Sequence, residues 1–231
     1  LLTRCTEQVT QGRLVWVVAV VTFFHLVPWL WINADADRSV ARYAATLKDV
    51  SRLSLNARQS GYDELREIYE RMGRKREALE AAKVALDANP RRPWLLTNVL
   101  LLMKELGNRR EAELLLKEIV VRDPDFSNAH FYLANLYHEN RDLDGAISEY
   151  RQALKIDPDH ANAHYNLGTA LMKKGDLDGA ISEYRQTLKV NPDDVNAHYY
   201  LGYALEKKGD IDGAISEYRQ AVRIDSNFVN A

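Results

Sequence analysis

Cysteine is nearly absent from the sequence: Cys5 is the only one among 231 residues. A single thiol excludes a disulfide framework and gives no information about the redox compartment. An excess of one charge sign is also lacking, because 31 basic and 33 acidic residues leave a net charge of −2. Since a nucleic-acid-binding domain usually carries a clear basic excess, we predict no nucleic-acid partner.

Motifs for catalysis and cofactor binding are lacking as well. His138 and Glu139 are adjacent, but the second histidine of a zinc-protease motif is absent, and no glycine-rich phosphate loop occurs. Ser148 and its repeated counterparts Ser182 and Ser216 have no adjacent base. We therefore predict that this stretch of chain is not an enzyme and binds neither a cofactor nor a metal.

The near-neutral total hides an uneven distribution of charge. Residues 38–92 contain 13 basic and 8 acidic side chains, whereas residues 127–228 contain 11 basic and 16 acidic ones. The two parts therefore present fields of opposite sign to an approaching partner.

A long apolar run lies near the start of the chain. Residues 14–32 read LVWVVAVVTFFHLVPWLWI and contain no charge other than the titratable His25. At ~1.5 Å rise per residue this run matches the ~30 Å hydrocarbon core of a bilayer, and Trp29 and Trp31 suit its interface. We predict a transmembrane helix over residues 14–32 between a flank at 1–13 and a linker at 33–58, and hence a membrane localisation with lipid as a partner.

Two other interpretations of the apolar run remain open. A cleaved signal peptide would use Ala34-Asp35-Ala36 as its A-x-A site, although the run is longer than usual and bulky residues precede the site. A buried core helix would need a surrounding core that the neighbouring composition does not provide. The side of the membrane on which the rest of the chain would lie is not decided.

The second half of the chain repeats itself. The nine residues DGAISEYRQ occur at 144–152, 178–186 and 212–220, each copy 34 residues after the last. In rows of this length, alanine occupies the twentieth place every time. The rows are 59–92, 93–126, 127–160, 161–194 and 195–228, and a sixth would begin at 229.

Each row has the pattern of a helical hairpin. In residues 161–194, Gly175 stands where a left-handed residue would end the first helix, Asp176 is placed to cap the second, and Pro192 ends it. Asn140 offers the same ending in the third row. A hairpin with one apolar side must stack on neighbours to bury it, so we predict an array over residues 59–231. Residues 38–58 have helical apolar spacing and are expected to cover its first repeat.

This pattern resembles the tetratricopeptide repeat family over residues 59–228. The family's Leu-Gly pair and its aromatic residue in the second helix are matched by Leu167-Gly168, Leu201-Gly202, Tyr150, Tyr184 and Tyr218. The resemblance implies an all-α fold, a right-handed α-solenoid of five stacked helix-turn-helix repeats, here preceded by the transmembrane helix. The family's tryptophan at the fourth place is replaced by His130, His164 and His198. Equivalent residues of stacked helices lie about 10 Å apart, which is too far for these histidines to share one metal ion.

The resemblance also implies a binding groove lined by the second, fifth, sixth and ninth places of the first helices. These places hold asparagine and aromatic residues, which suit an extended peptide. The candidate ligand-binding residues are Asn128, Phe131, Tyr132, Asn135, Asn162, Tyr165, Asn166, Thr169, Asn196, Tyr199, Tyr200 and Tyr203. For the three fifth-place rings, packing between helices is an equally good interpretation.

The preferred functional hypothesis is a membrane-tethered scaffold that binds an extended protein segment. An alternative is that the chain, which lacks an initiator methionine, is the C-terminal tail of a multi-span membrane enzyme such as a glycosyltransferase. A third hypothesis is an exported soluble scaffold cleaved after Ala36. The carboxylate clamp of chaperone-binding family members is not expected, because its fifth place is aromatic in the last three rows and only Asn135 matches its ninth place.

Overall fold

The structure is a computed structural model that describes residues 36–49 and 55–226, and these residues contain eleven helices and no β-strand. The helices are α1 (Ala36–Asp49), α2 (Leu55–Arg71), α3 (Lys75–Ala88), α4 (Pro93–Glu105), α5 (Arg109–Arg122), α6 (Ser127–Glu139), α7 (Leu143–Ile156), α8 (Ala161–Lys174), α9 (Leu177–Val190), α10 (Val195–Lys208) and α11 (Ile211–Ile224).

The predicted transmembrane helix and the membrane localisation are corrected. Within the described residues, no helix combines the length and the apolarity that crossing a bilayer requires. The longest, α2, has 17 residues and carries several charges, and the most apolar, α4, has only 13 residues, or about 20 Å of helix. Residues 14–32, on which the prediction fell, lie outside the described part of the chain.

The described part of the chain divides into two compact units, one ending at residue 109 and the other beginning at residue 110. In the first, α3 packs against both α2 and α4, and α1 packs on α2. The apolar side of α1 is buried, and the Tyr43 hydroxyl donates a 2.9 Å hydrogen bond to Glu64 of α2. This is the helix expected to cover the first repeat, although residues 50–54 of the predicted segment are not described.

The second unit contains three successive hairpins, α6–α7, α8–α9 and α10–α11. Each second helix also packs on the first helix of the next hairpin, as α7 does on α8 and α9 on α10. The close crossing within a hairpin needs a small residue: a Cβ added to Gly168 would lie 2.9 Å from the ring of Tyr184. One core cluster joins the three hairpins, with alanines at the crossing points.

The hairpin turns follow the capping chemistry that the sequence indicates. Asp176 caps α9 by accepting a 2.9 Å hydrogen bond from the Gly179 amide, and Gly175 has a left-handed φ of 84°. In the α6–α7 hairpin the left-handed residue is Arg141, at φ 65°, and not Asn140, whose φ is −79°. The prediction for Asn140 was therefore wrong by one residue.

A histidine ties each first helix of the second unit to two other segments. The Nδ1 atom of His164 lies 2.6 Å from the Glu183 carboxylate of α9, and its Nε2 lies 2.9 Å from the Pro158 carbonyl before α8. His130 makes the same pair of contacts with Glu149 and Pro124, at 2.7 and 3.0 Å. The third copy joins His198 to Glu217 and Pro192 at 2.7 and 3.0 Å.

The contacts of His130 and His164 favour the protonated form of these two histidines. A carbonyl oxygen and a carboxylate both accept hydrogen bonds, so an imidazole satisfies both only when each ring nitrogen carries a proton. The hydrogen bond to Glu149 raises the pKa of His130, and the one to Glu183 raises the pKa of His164. Through its contacts with a carboxylate and a carbonyl, each histidine links the two helices of its own hairpin and also links the hairpin to the loop that precedes it.

Candidate functional site

The twelve candidate residues lie on the first helices α6, α8 and α10 of the second unit. In each helix the fifth and sixth places lie three and four residues after the second place and four and three residues before the ninth, which puts all four places on one face. This face, made of the twelve residues named above, is called the inner face below.

The fifth-place rings pack inside their own hairpins. The rings of Phe131 and Tyr150 have centroids 6.2 Å apart, and those of Tyr165 and Tyr184 are 5.9 Å apart. The third pair, Tyr199 with the second-helix tyrosine Tyr218, is at 5.7 Å. Phe131 is buried and the other two fifth-place rings are half-buried, so all three rings pack between helices while two keep an accessible edge.

Two buried tyrosine hydroxyls lie beneath the inner face. Tyr150 donates a 2.6 Å hydrogen bond to the side-chain oxygen of Asn135, and the Tyr184 hydroxyl lies 3.3 Å from that of Thr169. Burial raises the pKa of Tyr184 to about 12, so its hydroxyl stays protonated near neutral pH. Two of the three ninth-place residues, Asn135 and Thr169, are therefore held by the tyrosines beneath them.

The sixth-place residues connect neighbouring repeats. Asn166 of α8 donates a 2.9 Å hydrogen bond to Asn135 of α6. At the next junction, the Tyr200 ring of α10 stacks on Tyr184 at 6.1 Å and meets Tyr165 edge-on at 5.8 Å. One junction is therefore polar and the other aromatic. Tyr132, the remaining sixth-place residue, is half-buried, with its ring centroid 5.3 Å from that of Phe131.

The second-place asparagines are the most accessible polar groups of the face. Asn162 and Asn196 are exposed, Asn128 is half-buried, and none of the three forms a side-chain hydrogen bond with another described residue. Tyr203 is half-buried, and Lys207 lies over its ring at 5.2 Å. These asparagines each offer two donors and an acceptor to a ligand.

Sequence reasoning did not assign the second-helix tyrosines to the site. The sequence identified these tyrosines, Tyr150, Tyr184 and Tyr218, only as a family feature. In the structure each one packs against the fifth-place ring of its own hairpin. Two of them, Tyr150 and Tyr184, also contact a ninth-place side chain. Their recurrence every 34 residues was the available signal. The recurrence does not show which residues these tyrosines contact, because the contacts depend on how the two helices of a hairpin cross. That crossing brings residues 15 positions apart, such as Tyr150 and Asn135, into contact.

The inner face has the chemistry of binding. Its twelve residues present amides, phenol hydroxyls, aromatic edges and one threonine hydroxyl, and they include no carboxylate, imidazole, thiol or amine. Amides can pair with the peptide groups of an extended chain in either direction, and tyrosine adds contact area at low entropic cost.

Comparison with protein families gives three matches in the second half of the chain. Profiles described as "Tetratricopeptide repeat" match residues 165–227 and 115–148, and one described as "TPR repeat" matches residues 135–175. No curated protein matches the chain in sequence.

Solved structures with a similar fold include those of MamA and YrrB. A crystal structure of MamA protein is 25% identical, with 73% of this chain and 92% of that chain covered and a TM-score of 0.60. MamA residues 41-end from Desulfovibrio magneticus RS-1 is 18% identical over 74% and 97% of the two chains, also at 0.60. YrrB, described as a TPR protein with an unusual peptide-binding site, is 14% identical over 81% and 94%, with a TM-score of 0.60.

Proposed function

Since residues 115–227 belong to the tetratricopeptide repeat family, we propose that this chain is a protein-binding scaffold whose inner face holds an extended segment of a partner protein. The observation that carries the proposal is the second-place row of asparagines. Asn162 and Asn196 are solvent-exposed, occupy equivalent places in successive repeats and have no hydrogen-bond partner among the described side chains and backbone. An extended peptide offers peptide groups at regular intervals that such a row can bind.

Preorganisation of the face supports the proposal. Asn135 and Thr169 are held by tyrosine hydroxyls, and Asn166 and Tyr200 are fixed by the preceding repeat. Side chains that are already fixed lose little conformational entropy when a ligand binds. A peptide therefore meets a surface that needs few rearrangements.

The absence of reactive groups among the twelve residues favours docking over bond chemistry. Half-buried tyrosines such as Tyr132, Tyr199 and Tyr203 have the large, amphipathic rings that are enriched at binding hot spots. YrrB, which has a similar fold, is described as carrying a peptide-binding site. We infer a partner segment with few charges, because the inner face itself carries none.

The test is a peptide selection on the full chain. Random linear peptides displayed on phage are selected against it, and binding of the best sequences is measured by fluorescence polarisation. Each selected peptide is then remade with N-methylated backbone amides, which keep the side chains but lose the N–H donors. We expect the methylated forms to bind at least about tenfold more weakly. Equal binding of both forms would contradict recognition of peptide groups.

A further inference from the structure

The second helices of the three hairpins carry an exposed row of cations on the side that does not pack. Each DGAISEYRQ copy, with the residues just after it, repeats four polar residues at helical spacing: a serine, an arginine, a glutamine, and a lysine or arginine. These residues lie on the side of the helix opposite the buried alanines and tyrosines. Six basic residues of this row are exposed and are called the basic strip: Arg151, Lys155, Arg185, Lys189, Arg219 and Arg223.

The cations of the basic strip have no ion-pair partner among the described residues. Within its helix, each arginine has only serine, glutamine, aliphatic or basic residues three and four positions away, where a carboxylate would pair with it. Arg185, for example, has Ile181 and Ser182 before it and Leu188 and Lys189 after it.

Other cations of the same region are engaged within the protein. Lys174 pairs with Asp144, and Lys208 pairs with Asp178. Lys173 contacts His138 at 2.8 Å. Residues 127–228 contain 11 basic and 16 acidic side chains, so six of the 11 basic groups gather on one side of an acidic region and remain unpaired there.

Two equivalent clefts adjoin the basic strip. One, of about 490 Å³, is lined on α9 by Asp178, Ile181, Ser182, Arg185 and Gln186, and on the facing side by Leu205, Lys208, Gly209 and Asp210. The other, of about 420 Å³, has a corresponding lining one repeat earlier. In each cleft one aspartate is paired with the lysine, as Asp178 is with Lys208, and a second aspartate caps the following helix. The arginine, the serine hydroxyl and the glutamine amide remain available above an aliphatic floor.

We propose that the basic strip is a second docking surface, which binds an acidic, Glu- or Asp-rich segment of a partner protein. Arginine forms bidentate hydrogen bonds with carboxylates, and the neighbouring glutamine and serine side chains can bind the peptide groups between them. The surface lies on the second helices, so this proposal does not depend on the inner face, which belongs to the first helices.

A nucleic acid fits this surface less well than an acidic peptide. The row contains no aromatic side chain on which a base could stack. Lys174 and Lys208, the cations nearest to the two clefts, are already paired with Asp144 and Asp178, so they do not extend the strip into a continuous track for phosphates. A peptide can place its carboxylates only where the cations are, and the acidic region around the strip repels a long polyanion.

The experiment uses the full chain and a labelled peptide in which glutamates alternate with glycine and serine. The strip variant is R185E/R219E, and the matched control is R110E/R122E, which reverses the same number of exposed arginines on α5 of the same unit. We expect R185E/R219E to raise the Kd for the peptide at least about tenfold, and the control to raise it less than about threefold. The same peptide with glutamine in place of glutamate should bind wild type as weakly as the acidic peptide binds the strip variant.

Four outcomes would overturn the proposal: an equal loss in both arginine variants, tighter binding of an oligothymidylate than of the peptide, equal binding of the glutamine peptide, or no peptide binding at low salt. Circular dichroism checks that each variant keeps its helices. The variant N162A/N196A, altered only on the inner face, should bind the acidic peptide as wild type does. That result separates a failure of this surface from a failure of the inner face.

Discussion

The side-chain oxygen of Asn135 accepts hydrogen bonds from two repeats at once, from Asn166 at 2.9 Å and from the Tyr150 hydroxyl at 2.6 Å. The change Asn135→Ala leaves the hydroxyl of the fully buried Tyr150 without this acceptor and breaks the link to α8. We expect a loss of about 1–3 kcal/mol in the free energy of unfolding, measured by urea denaturation.

Asn162→Ala is the matched control, because that side chain is exposed and bonded to no described residue, and its effect should stay within about 0.5 kcal/mol. Adding Tyr150→Phe to Asn135→Ala should cost little more, because the unsatisfied hydroxyl is removed as well. Fully additive losses would show that the two side chains are not coupled.

The histidine contacts predict a pH dependence of stability. The pKa of His164 is raised in the folded state by Glu183, so this contact stabilises fully below the ordinary histidine pKa of ~6.5 and is lost as the pH rises through the folded-state value. Glu183→Gln should therefore destabilise the protein more in mildly acidic buffer than in alkaline buffer. The measurement is the free energy of unfolding of both proteins across this range.

The comparison must be made between variant and wild type, because burial lowers the pKa of His138 and His160 and contributes the opposite trend. Glu118→Gln on the exposed surface of α5 is the control and should show a pH-independent difference. A difference for Glu183→Gln that stays constant with pH would rule out a charged histidine in this contact.

Arg141 has a left-handed backbone with φ 65°, whereas equivalent turns have glycine, as Gly175 does at φ 84°. A side chain in this region strains the backbone, so Arg141→Gly should stabilise the protein by about 1 kcal/mol. The reverse change, Gly175→Ala, should cost a similar amount. Thermal unfolding of the two variants tests this, and a lower melting temperature for Arg141→Gly would refute the strain.

The helices and turns of the second unit follow closely from local sequence signals. Asp176 and Gly175 have the predicted capping roles because each acts within its own turn. Arg141 was missed because residue type gives no signal for a left-handed arginine, and only the count along the repeat places it in the turn. The helix predicted for residues 14–32 was based on the length and apolarity of the run and on the two tryptophans at its end, and no described helix has the length and composition to cross a membrane.

Contacts between helices were harder to predict. The repeat pattern identified His164 as one of three equivalent histidines, but its partner Glu183 is 19 residues away, and no local signal in the sequence pairs the two. The unpaired basic strip was likewise hidden in the sequence, because every arginine there has acidic residues nearby along the chain. Only the helix geometry shows that these carboxylates are directed to other partners, as Glu183 is to His164.

The most direct test of the central claim is the effect of N162A/N196A on the binding of peptides selected against the full chain. If the inner face binds an extended segment, this variant should keep its helical circular dichroism and bind at least about tenfold more weakly. The control N140A/N191A removes two exposed amides that belong to neither the inner face nor the basic strip, and it should bind normally. Unchanged binding by N162A/N196A, or an equal loss in N140A/N191A, would contradict the account.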